Sequence, residues 1–208
     1  DVLNDPEIKE QLSSLKLSSN NYSGIVDILH ASVMKSVEKR LTAIEQRLTA
    51  IEQNQENMAF EMNKRERHSR QFNLRFVGID EQEHSSQAIV ALAQKVGLTE
   101  ITENDIEISH RLGPGKPGYN RVVIARFHSR VKRRSLLIKR KEVKQSSAVV
   151  IYEDLTKVDK HLLDELRYRL AEDDRKYAFT RNGRVMYKYE DKKVGFIDSY
   201  DNIDYFLQ

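Results

Sequence analysis

The clearest chemical signal in this sequence is a concentration of Lys and Arg between residues 110 and 145. This stretch holds twelve Lys and Arg against one acid, Glu142, whereas the whole 208-residue chain has a formal net charge of only +3. Cations concentrated in one part of a nearly neutral protein are typical of a polyanion-binding surface, because Lys and Arg displace the counterions around phosphates. We therefore predict that this stretch binds nucleic acid.

Runs such as residues 132–134 and 139–141 can also be a solvated helix face, which is the usual role of such a run in isolation. Further cations nearby favour the polyanion interpretation, including Arg67 and Arg70 upstream. The candidate cations are Arg70, Lys116, Arg121, Arg126, Lys132, Arg133, Arg134, Lys139, Arg140 and Lys141. Tyr187 and Tyr189 can stack on bases if they face outward, and core packing is the alternative for either.

Signatures of catalysis or metal binding are weak in this chain. Residues 113–118 contain Gly-x-x-x-x-Gly, but no Lys-Ser/Thr follows, so this is a flexible loop rather than a phosphate-binding loop. The six His have no i,i+4 pair and there is no Cys, which argues against a metal site and excludes thiolate chemistry. Adjacent acids at 153–154 and 173–174 are typical of solvated helix ends. We expect a non-enzyme without cofactor.

Composition predicts neither a membrane span nor a signal peptide. No apolar run approaches 18 residues, and the N-terminus lacks a basic region followed by an apolar one. The absence of Cys fits a reducing compartment, so we expect a cytoplasmic protein, with the nucleus left open. Because the chain begins at Asp1 rather than Met, it is also compatible with a fragment of a longer protein.

A tandem heptad lies upstream of the basic stretch, since residues 40–46 are repeated identically at 47–53. The repeat extends into an apolar seam with alternating spacings of three and four, which predicts a coiled coil over residues 31–66. The seam comprises Met34, Val37, Leu41, Ile44, Leu48, Ile51, Met58 and Met62, with a polar layer at Gln55. A single amphipathic helix lying on a globular core is the alternative.

The heptad also predicts how many chains associate. Leu41 and Leu48 occupy a positions with Ile at d, a combination that favours three or four strands over two. Arg and Glu fall at g and e, where they can pair between chains, and the order Arg, apolar, two others, apolar, Glu is typical of trimers. The pairs are Arg40 with Glu45 and Arg47 with Glu52. Residues 1–30 are expected to be a polar and helical segment with a break at 18–21.

The next region, residues 70–153, predicts a βαββαβ domain. Alternating residues indicate strands at 72–79, 105–112, 121–127 and 148–152, and periodic apolar residues indicate helices at 85–96 and 129–143. Two right-handed crossovers then give a four-stranded antiparallel sheet with both helices on one face. This is the ferredoxin-like plan of RNA-recognition domains, with the other face free for a ligand.

Residues 154–208 predict a small second domain, so the fold class is α+β. A helix is expected from Thr156 to about Asp173, followed by a hairpin whose turn is Asn182-Gly183, the strongest short hairpin signal. A third strand at 194–197 and a final helix capped by Asp198 or Ser199 complete it.

In this order, the coiled coil, βαββαβ domain and small C-terminal domain resemble the first open-reading-frame proteins of LINE-type retrotransposons. The resemblance rests on the tandem RLTAIE, on RQFNLRFVGI at 70–79, and on ISHRLG at 108–113 leading to RVVIARF at 121–127. The segment TRNGRVMY at 180–187 also looks like the baculovirus few-polyhedra protein and its invertebrate transposon relatives. The resemblance covers nearly the whole chain beyond residue 30.

The resemblance implies a homotrimer that binds single-stranded RNA, or single-stranded DNA, and acts as a nucleic-acid chaperone in a ribonucleoprotein. It matches RNA-contacting positions to Arg70, Arg75, Lys116, Arg121, Lys139, Arg140, Lys141, Arg167 or Arg169, and Tyr187. One departure concerns the third strand, where Val122, Ile124 and Ala125 replace stacking aromatics. This favours a basic cleft between the domains that contacts the phosphate backbone of the RNA. A viral or cellular coiled-coil adaptor with a basic surface for an acidic protein is the alternative function.

Overall fold

The computed structural model describes residues 22–189 and 193–207, together with Pro6 and Glu10. The predicted break at 18–21 lies outside the described residues. The chain forms two compact units, with the boundary between residues 60 and 61.

The helices are α1 Tyr22–Arg70, α2 Ser85–Lys95, α3 Arg130–Ile138, α4 Arg140–Ser147, α5 Lys157–Arg169 and α6 Tyr200–Phe206. The strands are β1 Asn73–Val77, β2 Ile106–Arg111, β3 Val123–Phe127, β4 Val150–Glu153, β5 Ala178–Arg181, β6 Arg184–Tyr189 and β7 Lys193–Ile197. The protein is therefore of mixed α+β class, with one long N-terminal helix and two antiparallel sheets.

Helix α1 is continuous for 49 residues and carries the tandem heptad. The apolar residues of the repeat, from Leu41 to Ile51, are 53–61% exposed. A helix that packed this seam on a globular core would bury these side chains. Thr42 and Thr49 occupy equivalent heptad positions and each donates to the carbonyl four residues earlier at 3.1 Å. The helix continues past residue 66, where the predicted coiled coil ends, and residues 67–70 form its last turn.

The four-stranded sheet has the order β2-β3-β1-β4, and all three pairings are antiparallel. Alternation sends Leu74, Phe76, Ala125 and Phe127 to one face, where they are fully buried. Side chains from α2, α3 and α4 join the same apolar core. The helices therefore lie on one face of this sheet.

The second predicted helix of this region is two helices, so the element order is βαββααβ. The break is at Lys139, whose amide donates to the carbonyls of Leu137 and Ser135. Helix α4 then ends at Ala148, which has a left-handed φ of 59°. Because no Pro or Gly marks residue 139, the apolar periodicity alone does not place this break.

The C-terminal part combines α5, the sheet β5-β6-β7 and α6 around a core that includes Leu166, Val185, Ile197 and Ile203. The Thr156 side chain caps α5, which ends at Arg169, earlier than predicted, and a 3-10 turn follows over Glu172–Tyr177. Ser199 rather than Asp198 caps α6.

The predicted hairpin between β5 and β6 is present, and its turn touches the end of α1. Asn182 and Gly183 have φ of 54° and 76°, the two positive angles of a type I′ turn. A Cβ on Gly183 would lie 3.1 Å from Cγ of Arg67. Glycine at this position therefore serves both the turn and the close approach of the arginine.

Candidate nucleic-acid interface

The Lys and Arg of residues 110–145 divide into two groups according to whether a carboxylate pairs with them. Ion pairs hold Arg111, Arg121, Arg126, Lys132, Arg133 and Lys139. Within residues 22–189 and 193–207, no carboxylate pairs with Lys116, Arg130, Arg134, Arg140, Lys141 or Lys144. We call this second group the uncompensated cations. All six are exposed, so their charge is accessible to an anionic ligand.

Arg133 is the candidate whose position differs most from its predicted role. Its side chain is buried, and Nη2 pairs with Oε1 of Glu153 at 3.2 Å. Nε and Nη2 also donate to the carbonyl of Asn73 at 3.2 Å. Burial lowers the pKa of Arg133, against the attraction of Glu153. The guanidinium therefore links α3 to β1 and β4 inside the protein, which corrects its assignment as a phosphate contact.

Two other candidates, Arg70 and Arg75, share one buried carboxylate. Nη1 of Arg70 and Nε of Arg75 lie 2.8 and 2.6 Å from Asp154, which also accepts from Nδ2 of Asn73 at 2.9 Å. The Asp154 side chain is completely buried, so the carboxylate fixes both arginines from the protein side. The two Nη groups of Arg75 make no hydrogen bond to the described residues. They are therefore available to a ligand at the sheet surface.

Ion pairs also hold the cations near the glycine loop and at the start of α3. Glu81 accepts from Nε of Arg121 at 2.7 Å and from its backbone amide at 3.0 Å. These hydrogen bonds lower the pKa of Glu81. Lys132 lies 2.8 Å from both oxygens of Asp105 and, by this hydrogen bond, lowers the pKa of that carboxyl. In the loop itself, Lys116 makes a β-bridge with Tyr119 and keeps its side chain exposed.

The sheet face opposite the helices carries a row of side chains that crosses all four strands. Tyr152, Arg75, Ile124 and His110 are successive partners in the registers of β4, β1, β3 and β2. A second row places Asn73, Arg126 and Ile108 side by side. Tyr152 is 52% exposed and Ile108 is 55% exposed. We call these two rows the open sheet face.

Tyr152 and Arg130 are exposed residues of this region that were not among the sequence candidates. The signal for Tyr152 was the alternation in β4, where Ile151 and Glu153 are buried and the residue between them must point to the other face. Arg130 had no comparable signal. It stacks on Phe72 with Cζ 4.7 Å from the ring centre, and Arg126 stacks on the same ring at 5.3 Å.

The end of α1 is attached to the C-terminal part by a buried ion pair. Nε and Nη2 of Arg67 donate to the two oxygens of Asp159 at 2.9 and 2.7 Å, and Asp198 lies 3.4 Å from Nη2. The hydrogen bond to Asp159 raises the pKa of Arg67. Arg67 therefore positions the last turn of α1 against α5 and the β5–β6 turn, and it is not accessible to a ligand.

The three C-terminal candidates are mostly occupied by contacts within the protein. Arg169 pairs with Glu165 and Asp204, and Arg167 donates to the carbonyl of Ala178 at 3.0 Å. The Tyr187 side chain packs against the core and approaches Phe206 edge-on, with 6.4 Å between ring centres. Burial is the main cause that raises the pKa of Tyr187. Of the two arginines, Arg167 has no carboxylate partner among the described residues.

In the described part of the chain, no group of three or more His, Asp or Glu is placed to hold a metal ion. No helix of the described residues is long and apolar enough to cross a membrane. No protein-family model matches the chain, and no curated protein matches it either. The uncompensated cations, the open sheet face and the heptad seam are therefore the features that bear on function.

Proposed function

We propose that this chain is a non-enzymatic, homotrimeric protein that binds single-stranded RNA and acts as a nucleic-acid chaperone within a ribonucleoprotein. The observation that carries the proposal is the group of six uncompensated cations, all of them exposed within one 36-residue stretch. Exposed Lys and Arg without carboxylate partners gain most from phosphates, because no internal ion pair must be broken. The charge excess read from the sequence is thus matched by accessible cations.

The proposed domain type is an RNA-recognition fold over residues 70–153. Its support is the strand order β2-β3-β1-β4 with α2, α3 and α4 packed on one face. In the ferredoxin-like plan, this arrangement leaves the other sheet face for a ligand. Arg75 and Arg126 lie on that face, opposite the helices α3 and α4 that carry most of the uncompensated cations.

The proposed trimer is supported by the exposed heptad seam of α1. Eight apolar residues repeat at coiled-coil spacing, and those of the tandem repeat are more than half exposed in the single chain. Burying such a seam against copies of itself removes apolar area from water. Leu at a and Ile at d, with Arg and Glu at the flanking positions, favours three strands.

Three copies of the basic unit on one coiled coil would bind RNA multivalently. Once one copy is bound, the tether raises the effective concentration of the others, so affinity grows with RNA length without any new contact. Mainly electrostatic contacts are transient. They therefore allow nucleic-acid strands to exchange, as chaperone activity requires. Affinity for long RNA is therefore combined with weak individual contacts.

The central experiment measures binding of fluorescent single-stranded RNA of increasing length across a salt series, with mass from light scattering in the same samples. We expect a mass of three chains, affinity that rises with length, and a steep fall with salt. Binding by a trimer that does not depend on RNA length or salt would contradict the chaperone proposal.

The coiled coil has its own test, the double variant Ile44→Asn with Ile51→Asn. Two polar residues in the seam should reduce the mass to one chain and remove the length dependence of RNA affinity. The matched control is Thr42→Ala with Thr49→Ala, which changes the same two heptads off the seam and should leave the trimer intact. Equal masses for both variants would contradict the proposed interface.

The adaptor function remains a second candidate because α3 also exposes apolar side chains. Val131 and Ile138 are exposed beside Arg134, a combination that suits an acidic amphipathic peptide. An adaptor would bind such a peptide and show no length-dependent affinity for single strands. The RNA length series therefore separates the two functions.

A further inference from the structure

We infer that Tyr152 is a base-stacking residue, and that the open sheet face holds a nucleotide of single-stranded RNA with its base on Tyr152 and its phosphate at Arg75. This inference rests on the proposed function and deepens it, because it assigns a base-contacting subsite that the cations alone do not provide. The sequence had favoured backbone contacts, since Val122, Ile124 and Ala125 stand where stacking aromatic residues are expected on the third strand.

Among the described residues, the Tyr152 ring has no stacking partner. Tyr152 is 52% exposed, and no aromatic ring or cation of the described residues stacks on it. Tyr187 and Tyr189, by contrast, both pack against Phe206. An unoccupied ring face on a rigid strand can take a base without moving other side chains.

The strand register places a cation next to the Tyr152 ring. Arg75 is the direct cross-strand partner of Tyr152, and directly opposed residues on one sheet face have Cβ atoms about 4.5–5.5 Å apart. Asp154 holds Nε of Arg75 at 2.6 Å and leaves its Nη groups unused by the described residues. A fixed guanidinium with free donors beside an exposed ring matches the phosphate and base of one nucleotide.

The surface around Tyr152 also carries charged side chains. Arg126 lies in the neighbouring row, and His110 ends the row of Tyr152. Asp154 accepts a hydrogen bond from Arg75, and Glu107 accepts one from Arg126. The open sheet face therefore places guanidinium donors near the exposed ring, which favours a nucleotide over a neutral apolar partner.

The test compares Tyr152→Ala, Tyr152→Phe and wild-type full-length protein, using an RNA of about eight nucleotides and an abasic strand of equal length. The short RNA limits the gain from multivalency. Stacking contributes about 1–3 kcal/mol per base, so Tyr152→Ala should weaken RNA binding about 5- to 150-fold. Tyr152→Phe should bind as wild type does, because the ring is retained.

Two features separate stacking from a general loss of affinity. Tyr152→Ala should leave the slope of log affinity against log salt unchanged, because no cation is removed. Its affinity for the abasic strand should equal that of wild type. The control is Tyr200→Ala, which removes an equally exposed tyrosine, 52%, flanked by Asp198 and Asp201, and should bind RNA normally.

The outcomes distinguish this inference from the proposed function. If wild type binds RNA with a steep salt slope and Tyr152→Ala binds equally well, the stacking subsite is excluded while the RNA-binding function stands. An equal loss on the abasic strand would likewise exclude stacking. If wild type does not bind RNA at any length, both proposals are overturned.

Discussion

Arg133 and Arg134 are adjacent in α3, yet the first is buried against Glu153 and the second is exposed without a carboxylate partner among the described residues. The same contrast separates Arg67, enclosed by Asp159 and Asp198, from the exposed Arg65 two residues earlier. Identical side chains thus have two roles within one turn of helix. Burial decides which role each has.

The buried arginines stabilise the connections between elements, and the exposed ones are accessible to ligands. A buried charge loses its hydration, and its partner compensates for that loss only while both are present. An exposed charge keeps its hydration and contributes little to folding, within about 0.5 kcal/mol. Substitutions of buried arginines should therefore lower stability, whereas substitutions of exposed arginines should lower affinity for a ligand and leave stability nearly unchanged.

The largest effect is expected for Arg67→Met. Removing one partner of a buried ion pair costs about 3–5 kcal/mol, because the other charge remains buried. Arg67 donates two hydrogen bonds to Asp159, whose side chain is completely buried. Urea unfolding at a fixed protein concentration should show this loss, whereas Arg65→Met should change the free energy of unfolding by less than about 0.5 kcal/mol. Equal losses for both variants would contradict the contrast.

The next largest effect is expected for Arg133→Met, at about 3 kcal/mol, the lower end of the same range. Its ion pair to Glu153 is longer, 3.2 Å, and Oε2 of Glu153 has no hydrogen-bond partner among the described residues. RNA binding by the folded variant should keep the wild-type salt slope. A flatter slope with unchanged stability would instead return Arg133 to the interface.

The sequence predicted the elements better than it predicted which cations are exposed. Alternation located the four strands of the first sheet, and Asn182-Gly183 located the hairpin turn, because both signals are local. The run at residues 132–134 gave no means of separating Arg133 from its neighbours. Its burial depends on Glu153, twenty residues away on β4, and only the packing of α3 against the sheet brings them together.

Alternation could have identified Tyr152 as an exposed residue of β4. The sequence could not show which residues of the other strands lie beside it. The partner of Tyr152 is fixed by the strand order, since Arg75 precedes it by 77 positions in the sequence. The break at Lys139 was also missed because no Pro or Gly marks it. Long-range pairing therefore accounts for much of the candidate site that the sequence left undetermined.

A smaller effect, on affinity and without a change in stability, is expected for Arg134→Ala. The loss of one phosphate contact on a single strand should flatten the slope of log affinity against log salt by about 0.7. The effect should be equal for RNA of different sequence, because a phosphate contact carries no base information. An unchanged slope would remove Arg134 from the interface. Tyr152→Ala should also lower affinity, but it should leave the salt slope unchanged.

The smallest effect concerns the pH dependence of the ion pair between Glu81 and Arg121. Hydrogen bonds from Arg121 lower the pKa of Glu81 in the folded state, so the unfolded state takes up the proton first as the pH falls. The stabilisation is therefore complete above the ordinary glutamate pKa, about 4.3, and is lost as the pH falls through the folded value. The difference in urea midpoint between wild type and Glu81→Gln should be largest at neutral pH and shrink below about pH 4. Glu142→Gln, which removes an exposed carboxylate paired with Lys139, serves as the control for net charge. A midpoint difference for Glu81→Gln that stays constant across this range would show that the charge of Glu81 does not hold Arg121.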